Sequence, residues 1–238
     1  MNSSQKNRKK RVRFSQHFLT DSNVLGKIED AMETFKYKTA VEAGPGRGAI
    51  TKIILRKEPK ILTLIERDES LIEKLKEEYK ACKIQKRDIL DYNITEDVFV
   101  SSVPYSITRE ILLLLCRSNS VKISYLIIQK EVSEKILLLH PIPISVYVRT
   151  FFKIEKIFNI KKNSFTPIPT VESSFLKLNR KYNFTSKHSN YWSFLTRTLS
   201  GKNKSAEYLN PNYKGRRVSE LNEKELLRTY VDKDIHSH

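Results

Sequence analysis

Between residues 39 and 129 short apolar runs alternate with amphipathic ones, and the first run passes into its helix through Gly44-Pro45-Gly46-Arg47-Gly48. Few folds accept that order. Short apolar runs bounded by turn residues read as buried strands, which predicts strands over residues 39–43, 61–66, 81–85, 98–101 and 125–129. Helical spacing predicts helices over residues 49–56, 71–80 and 107–116, and another from near Glu131. This order predicts an α/β fold, a mostly parallel sheet with helices on both faces. Such sheets bind ligands outside the carboxyl ends of their strands. Upstream, Val24, Leu25, Ile28, Ala31, Met32 and Phe35 share a helical face behind the capping residues Thr20-Asp21-Ser22. Downstream, residues 146–158 and 173–178 read as β-rich. From about residue 180 the chain turns polar, basic and helix-prone. There Trp192, Phe194, Leu195 and Leu199 form one small apolar face, and Leu221, Leu226, Leu227 and Tyr230 another. The expected division is a flexible basic arm (1–13), a main domain (14–179) and a small helical domain (180–238).

Charge narrows the class of partner. The 238 residues include 44 Lys and Arg against 27 Asp and Glu, a formal charge of +17. An excess of that size favours a polyanion, nucleic acid ahead of an acidic membrane surface. It is concentrated at the two ends. Residues 1–13 include Lys9, Lys10, Arg11 and Arg13 and no acid, and residues 177–217 include Lys202, Lys204, Arg216 and Arg217 with Glu207 as the single acid. These eight are the candidate RNA contacts. The two cysteines, Cys82 and Cys116, have no ligand-spaced neighbours, so neither a metal site nor a disulfide is expected and a reducing, cytoplasmic setting is. No apolar run reaches the ~18 residues of a membrane span.

The glycine loop differs from the dinucleotide pattern in its spacing and lacks the lysine of a P-loop. Glycines at Gly44 and Gly46 let backbone amides approach a ligand. Glu42, just before them, suits a cationic ligand better than a pyrophosphate. Glu66, ending the second strand, can accept from ribose hydroxyls, and Asp88, after the third, from an adenine amine. Together they predict a site for S-adenosylmethionine, whose sulfonium and ammonium groups are cationic.

The fourth strand ends in Ser101-Ser102-Val103-Pro104-Tyr105. A proline here fixes the backbone and can turn its carbonyl toward an exocyclic amine. Tyr105 is a flat platform for a base. Much later, Phe165-Thr166-Pro167-Ile168-Pro169 holds Phe165 on a proline-stiffened loop. An aromatic from each side would sandwich a base lifted out of its stack.

With these motifs assembled, the chain resembles the rRNA adenine N6-methyltransferases, which include the Erm macrolide-resistance enzymes and the small-subunit dimethyladenosine transferases. The resemblance runs in order from Gln16-His17-Phe18-Leu19 through the glycine loop, Glu66, Arg87-Asp88-Ile89, Ser102-Val103-Pro104-Tyr105 and Gln129-Lys130-Glu131-Val132 to Phe165–Pro169 and Val171-Glu172-Ser173. It implies a Rossmann-like S-adenosyl-L-methionine-dependent methyltransferase sheet with a small C-terminal helical domain. It implies that His17 and Leu19 lie in a segment closing over the cofactor, that Gly44 lines its methionine part, Glu66 its ribose and Asp88 its adenine. It implies that position 102 and the Pro104 carbonyl hold the target amine, with Tyr105 and Phe165 on either side of the base. The family pattern has asparagine where this chain has Ser102, and glycine where it has Ser101. Serine keeps a hydroxyl but loses about one bond of reach, so Ser102 accepts only from a closer base or through water. The basic arm, Leu178-Asn179-Arg180 and the tail from Gly215 to Leu221 look Erm-like. That branch implies a monomeric enzyme acting on 23S rRNA before full ribosome assembly, with macrolide, lincosamide and streptogramin B resistance as the outcome. The alternatives are a small-subunit dimethyladenosine transferase and a nucleic-acid-binding protein with a vestigial site. A DNA adenine methyltransferase fits less well, because Val103 replaces a proline of that clamp and the Phe165 loop is foreign to it.

Overall fold

Two of the first three helices begin where an aspartate accepts from their free amide groups, and the other begins at a glycine. The computed structural model describes residues 17–32, 38–137, 142–200 and 204–235. Residues 1–16, and with them the basic arm, as well as Phe35 and Lys202, lie outside the described residues. After β1 (Phe18–Leu19), Asp21 accepts from the amides of Asn23 and Val24 and starts α1 (Ser22–Ala31). β2 (Thr39–Ala43) turns into α2 (Ala49–Arg56) through Gly48. β3 (Ile61–Glu66) is followed by α3 (Glu69–Glu78), which starts two residues earlier than the apolar spacing predicts because Asp68 caps it, accepting from Ser70 N. Then come β4 (Lys83–Lys86), β5 (Val98–Ser102), α4 (Thr108–Arg117), β6 (Ile123–Gln129) and α5 (Lys130–Leu137).

The order expected across residues 39–129 is the one observed. The seven-stranded sheet runs β4-β3-β2-β5-β6 in parallel, then continues into the two last strands of the sheet. The strand order reverses between β2 and β5, so the loops leaving these neighbours diverge and open a crevice at their carboxyl ends.

Residues 146–158 depart from the expected β-rich reading. They are split between α6 (Pro143–Phe151) and β7 (Phe152–Ile160). Pro143 starts the helix, where its missing amide costs nothing. Val146, Tyr147, Val148, Thr150 and Phe151 are all buried, and these β-branched and aromatic residues favour strand locally, a preference that packing overrides. The chain continues through β8 (Phe165–Thr166), which pairs with β1, to β9 (Ser173–Arg180). β9 runs antiparallel to both β6 and β7, with Ser173 opposite Gln129 and Ile160.

Beyond Arg180, α7 (Tyr191–Ser200) and α8 (Glu223–Ile235) pack on α6. The expected boundary coincides with the end of β9, but the apolar core crosses it. Tyr191, Leu195, Leu199, Leu226 and Tyr230 belong to the same buried cluster as Tyr147, Val148 and Phe151. Tyr191, rather than the flanking Trp192 or Phe194, is the fully buried centre of the helical face, and its ring lies 5.7 Å from Tyr147 and 5.1 Å from Tyr230.

A shared core predicts that the helical region and the sheet unfold together. Tyr191→Ala should cost roughly 3–5 kcal/mol by leaving a cavity. Tyr191→Phe, which loses only the contact with Thr150 Oγ1 at 3.3 Å, should cost about 1 kcal/mol. Urea unfolding followed by tryptophan fluorescence and far-UV dichroism should give one coincident transition for both. Two separated transitions would mean that the helices fold on a core of their own.

Candidate functional site

The loops at the carboxyl ends of β2, β3 and β5 border one cavity of about 830 Å³. Its wall includes Glu42, Gly44, Gly46, Glu66, Asp88 and the whole run Ser101–Tyr105, together with His17, Leu19 and Phe165. The cavity is the size of a small-molecule site.

The glycine loop is shaped by two different needs. Gly44 has φ +68°, and a Cβ there would meet nothing within 4 Å, so the loop presents bare backbone to the cavity. Gly48 has φ +80°, and a Cβ there would run into the Tyr79 hydroxyl, which donates to the Gly48 carbonyl at 3.1 Å. Phe18 lies against the loop from above, with the Arg47 guanidinium 4.5 Å from its ring centre. Phe18 escaped the sequence reading, although it sits between two residues that were singled out.

The three acidic residues do converge, each in its own state. Glu42 is 2% exposed and accepts from Thr51 Oγ1 at 2.6 Å. Burial pushes its pKa up to about 8, against the Thr51 hydrogen bond and with help from the Glu66 charge. Burial therefore favours the neutral carboxyl, where the sequence suggested a fixed negative charge. Glu66 Oε1 accepts from the amides of Arg67 (2.8 Å) and Asp68 (2.9 Å), and Oε2 from Gly46 N (3.2 Å). A carboxylate offers about four acceptor sites, so Oε2 keeps capacity for a hydroxyl. Asp88 is more committed than expected. Its Oδ1 accepts from Leu90 N (3.0 Å), capping a short turn, and its Oδ2 from Arg67 Nη1 (2.9 Å). Arg67, adjacent to Glu66 in sequence, was not foreseen as its partner.

At the end of β5, Ser101 Oγ donates to the Ala43 carbonyl at 2.8 Å. The residue expected to add bulk behind the clamp is thus a cross-strand tie between β5 and β2. Ser102 is half-buried on the cavity wall. The Pro104 carbonyl, expected to face the target amine, accepts from Ile107 N (3.1 Å) and Thr108 Oγ1 (3.4 Å) and so serves the start of α4. The neighbouring Val103 carbonyl accepts from no backbone amide among the described residues. Sequence reasoning missed it because a carbonyl leaves no trace in residue identity.

The segment from His17 to Leu19 and the Phe165 loop form one ribbon. Leu19 pairs with Phe165 and Phe18 with Thr166. His17 Nδ1–H donates to the Pro167 carbonyl at 2.7 Å. Phe165 is only 3% exposed, packed in the apolar cluster that holds Leu19, Ile160 and Phe175. The ring stacked on Tyr105 is that of His17, with centroids 6.1 Å apart and planes 28° from parallel. The expected pair, Tyr105 and Phe165, share the cavity wall, but His17 is the ring neighbour of Tyr105. The Tyr105 hydroxyl is anchored to Ser173 Oγ at 3.1 Å.

Of the expected RNA contacts, Lys9, Lys10, Arg11, Arg13 and Lys202 lie outside the described residues. Lys204 and Arg217 are exposed. Arg216 is employed internally. It forms a two-pronged pair with Glu225 (2.6 and 3.2 Å), donates to the Glu220 carbonyl (2.8 Å) and lies over Tyr213.

Comparison with known proteins agrees with this geometry. The family described as ribosomal RNA adenine dimethylase matches residues 7–229. The Ribosomal RNA small subunit methyltransferase A of Malacoplasma penetrans is 32% identical over 203 residues, 81% of this chain and 74% of that one. The protein of the same name from Mycoplasmopsis synoviae is 38% identical over 197 residues, 77% of this chain and 74% of that one. Among solved structures, a dimethyladenosine transferase from Plasmodium falciparum superposes with a TM-score of 0.82 at 21% identity, covering 93% of this chain and 98% of its own. The 23S rRNA methyltransferase ErmE does so with a TM-score of 0.71 at 20% identity, covering 91% and 99%. These two likenesses are of fold, and the Rossmann-like methyltransferase sheet expected from sequence is the one observed.

Two substitutions separate the roles in the glycine loop. Gly44→Ala should cost roughly 1–2 kcal/mol for a side chain at positive φ, while its methyl group intrudes on the bare backbone. Gly48→Ala should destabilise further because Tyr79 must also move. Calorimetric titration with S-adenosylmethionine on the folded Gly44 variant should show weakened binding, and unchanged affinity would remove Gly44 from the site. Glu42 should leave a pH signature. Its pKa is raised, so between about pH 4.5 and 8 the unfolded chain has lost a proton that the folded chain keeps, and stability falls as pH rises through that window. Glu42→Gln should therefore gain on the wild type by on the order of a few kcal/mol between pH 5 and pH 8, read from urea midpoints. A constant difference would show that Glu42 is already ionised when folded.

Proposed function

The chain belongs to the ribosomal RNA adenine dimethylase family, and from that premise we propose that it methylates the N6 amine of an adenine in small-subunit rRNA. The methyl donor of the family is S-adenosyl-L-methionine. The relatives at 32% and 38% identity carry small-subunit names, and they support this target over the 23S rRNA expected from the ends of the chain. Antibiotic resistance, which followed from the 23S reading, falls with it. The Erm-like residues behind that reading have other uses. Arg180 donates to the carbonyls of Leu115 (2.6 Å) in the last turn of α4 and of Ser118 (2.8 Å) and Val121 (2.6 Å) beyond it, and Arg216 is held by Glu225. Residues that hold a fold together do not report which RNA is bound.

One observation carries the catalytic reading: the bare glycine backbone and the Ser102–Tyr105 turn line the same cavity. A donor on one and a base on the other meet without crossing protein. When bound, S-adenosyl-L-methionine supplies a methyl group on a positively charged sulfur. Gly44 and Glu66 hold its methionine and ribose parts, and Glu42 releases its proton when a cation comes near. Asp88, already paired with Arg67, lies beside them at the adenine end. Tyr105 offers its ring to the extruded adenine. Ser102 Oγ accepts from the amine, directly or through a water, and the Val103 carbonyl is the nearest backbone acceptor left for the second hydrogen. Two such acceptors favour a pyramidal nitrogen whose lone pair is free of the ring. They also stabilise the positive charge that grows on it during attack. Alignment supplies much of the remainder. The alkylated amine is acidic enough to pass its proton to water.

The deciding experiment is transfer of a labelled methyl group to purified small-subunit and large-subunit rRNA, with the product mapped. Small-subunit label is expected. Label on the large subunit alone would restore the 23S reading. Binding of RNA and cofactor with no transfer to either would favour a non-catalytic RNA-binding protein. Ser102→Ala should lower kcat by about tenfold, the value of one hydrogen bond made chiefly in the transition state, with cofactor affinity retained. Full activity of that variant would assign the amine to backbone acceptors alone.

A further inference from the structure

The loop between Phe165 and Ser173 joins two residues of the cavity wall and is braced at both ends. At its start, Phe165 is paired with Leu19, Thr20 Oγ1 and Thr166 Oγ1 lie 3.2 Å apart, and His17 holds the Pro167 carbonyl. At its end, Lys130 ties down Glu172 twice, through backbone N to O (3.0 Å) and Nζ to Oε2 (2.9 Å), and Ser173 is anchored to Tyr105. Pro169 is buried between them, whereas Ile168 is 60% exposed and Val171 40% exposed. A braced loop with buried neighbours has the means to fold an isoleucine inward, yet this one holds Ile168 exposed, three residues from the cavity-lining Phe165.

Charge adds a second observation. β7 ends at Ile160, opposite Ser173, so Lys161 and Lys162 emerge at the same edge of the sheet, and both are exposed. The only acid of the loop, Glu172, is neutralised by Lys130, and Lys161 and Lys162 are close enough to hold its carboxyl further below the usual range. The edge is therefore basic with an apolar tip. Phosphates are drawn to clustered lysines, and an apolar side chain can occupy a base step that has lost its stacking. A protein surface partner of opposite charge would meet the lysines equally well, but it would leave an exposed isoleucine on a loop that ends at the cavity wall unexplained.

We propose that residues 161–172 form an RNA-docking edge of the cavity, in which Lys161 and Lys162 contact phosphates flanking the target adenine and Ile168 fills the gap in the stack that the extruded base leaves. This rests on the adenine-methylating reading above for the identity of the base. It adds a contact set to the basic ends of the chain. The loop then serves RNA on its outer side and, through Phe165 and His17, the cavity on its inner side.

The test uses the full chain and a small-subunit rRNA fragment, with binding measured apart from methyl transfer. Lys161→Ala/Lys162→Ala should weaken binding, and the slope of log affinity against log salt should fall by roughly 1.4–1.8, two phosphate contacts' worth. Ile168→Ser should leave that slope and cofactor affinity unchanged. It should reduce by at least about threefold the fluorescence rise of 2-aminopurine placed at the target position, because the vacated step closes again. Ile168→Leu should restore the rise. An unaltered salt slope in the lysine variant, or an unaltered 2-aminopurine signal in Ile168→Ser, overturns the proposal. If the wild type binds the fragment without transferring methyl groups, the catalytic reading fails separately. The lysine comparison on binding still decides the docking edge.

Discussion

Three loops of the sheet meet at Glu66, and the site depends on that junction. Its side chain accepts from the amide of Gly46 in the loop after β2 and from Arg67 and Asp68 after β3. Its carbonyl accepts from Arg87 N after β4 at 3.0 Å. Glu66 is itself buried, where a hydrogen bond to a charged acceptor is stronger than in water and a lost one is costly. One residue at a strand end thus sets how the glycine backbone stands against the next two turns. Arg67 extends the junction to Asp88, so the acidic groups of the cavity are held by neighbours rather than left to solvent.

The opposite wall is built on a different principle. The β1–β8 ribbon joins residues about 150 positions apart in sequence, and its stability comes from buried Leu19 and Phe165 rather than from charge. His17 belongs to this ribbon and also stacks on Tyr105. The segment beside the glycine loop is consequently in contact with Tyr105, the proposed platform for a base. A shift of Tyr105 would be felt at Phe18, which lies against Gly46. Cofactor and base sites that share a wall can be ordered together, which suits a reaction requiring both partners in line.

The parallel sheet was legible in sequence because apolar runs and their turns are local signals. The glycine loop, Glu66 and the Ser102–Tyr105 turn were legible because each combines unusual residue types at a fixed place after a strand. Legibility failed where local chemistry had several outcomes. The segment from Pro143 to Phe151 is rich in β-branched and aromatic residues, Val146, Tyr147, Val148, Thr150 and Phe151, whose local preference is for strand. Arg216 reads as a free cation until Glu225 folds back onto it. The pKa of Glu42 depends on the depth of its burial, which no motif encodes.

The sequence by itself determined the class of sheet, the edge where the cavity opens, and the residue types available there, since these follow from periodicity and from glycine and proline geometry. Tertiary structure decided which of those residues remain free for chemistry. Asp88 and the Pro104 carbonyl are spent largely on turns, Ser101 on a tie to Ala43, while Ser102 and the Val103 carbonyl stand at the cavity. It also set Lys161 and Lys162 just past the pairing of Ile160 with Ser173, a residue of the cavity wall, through the register of β7 with β9. Hydrogen bonds and burial are properties of pairs distant in sequence. Only when the chain has closed on itself does an acceptor become occupied, a carboxyl become neutral, or a lysine come to stand beside the site.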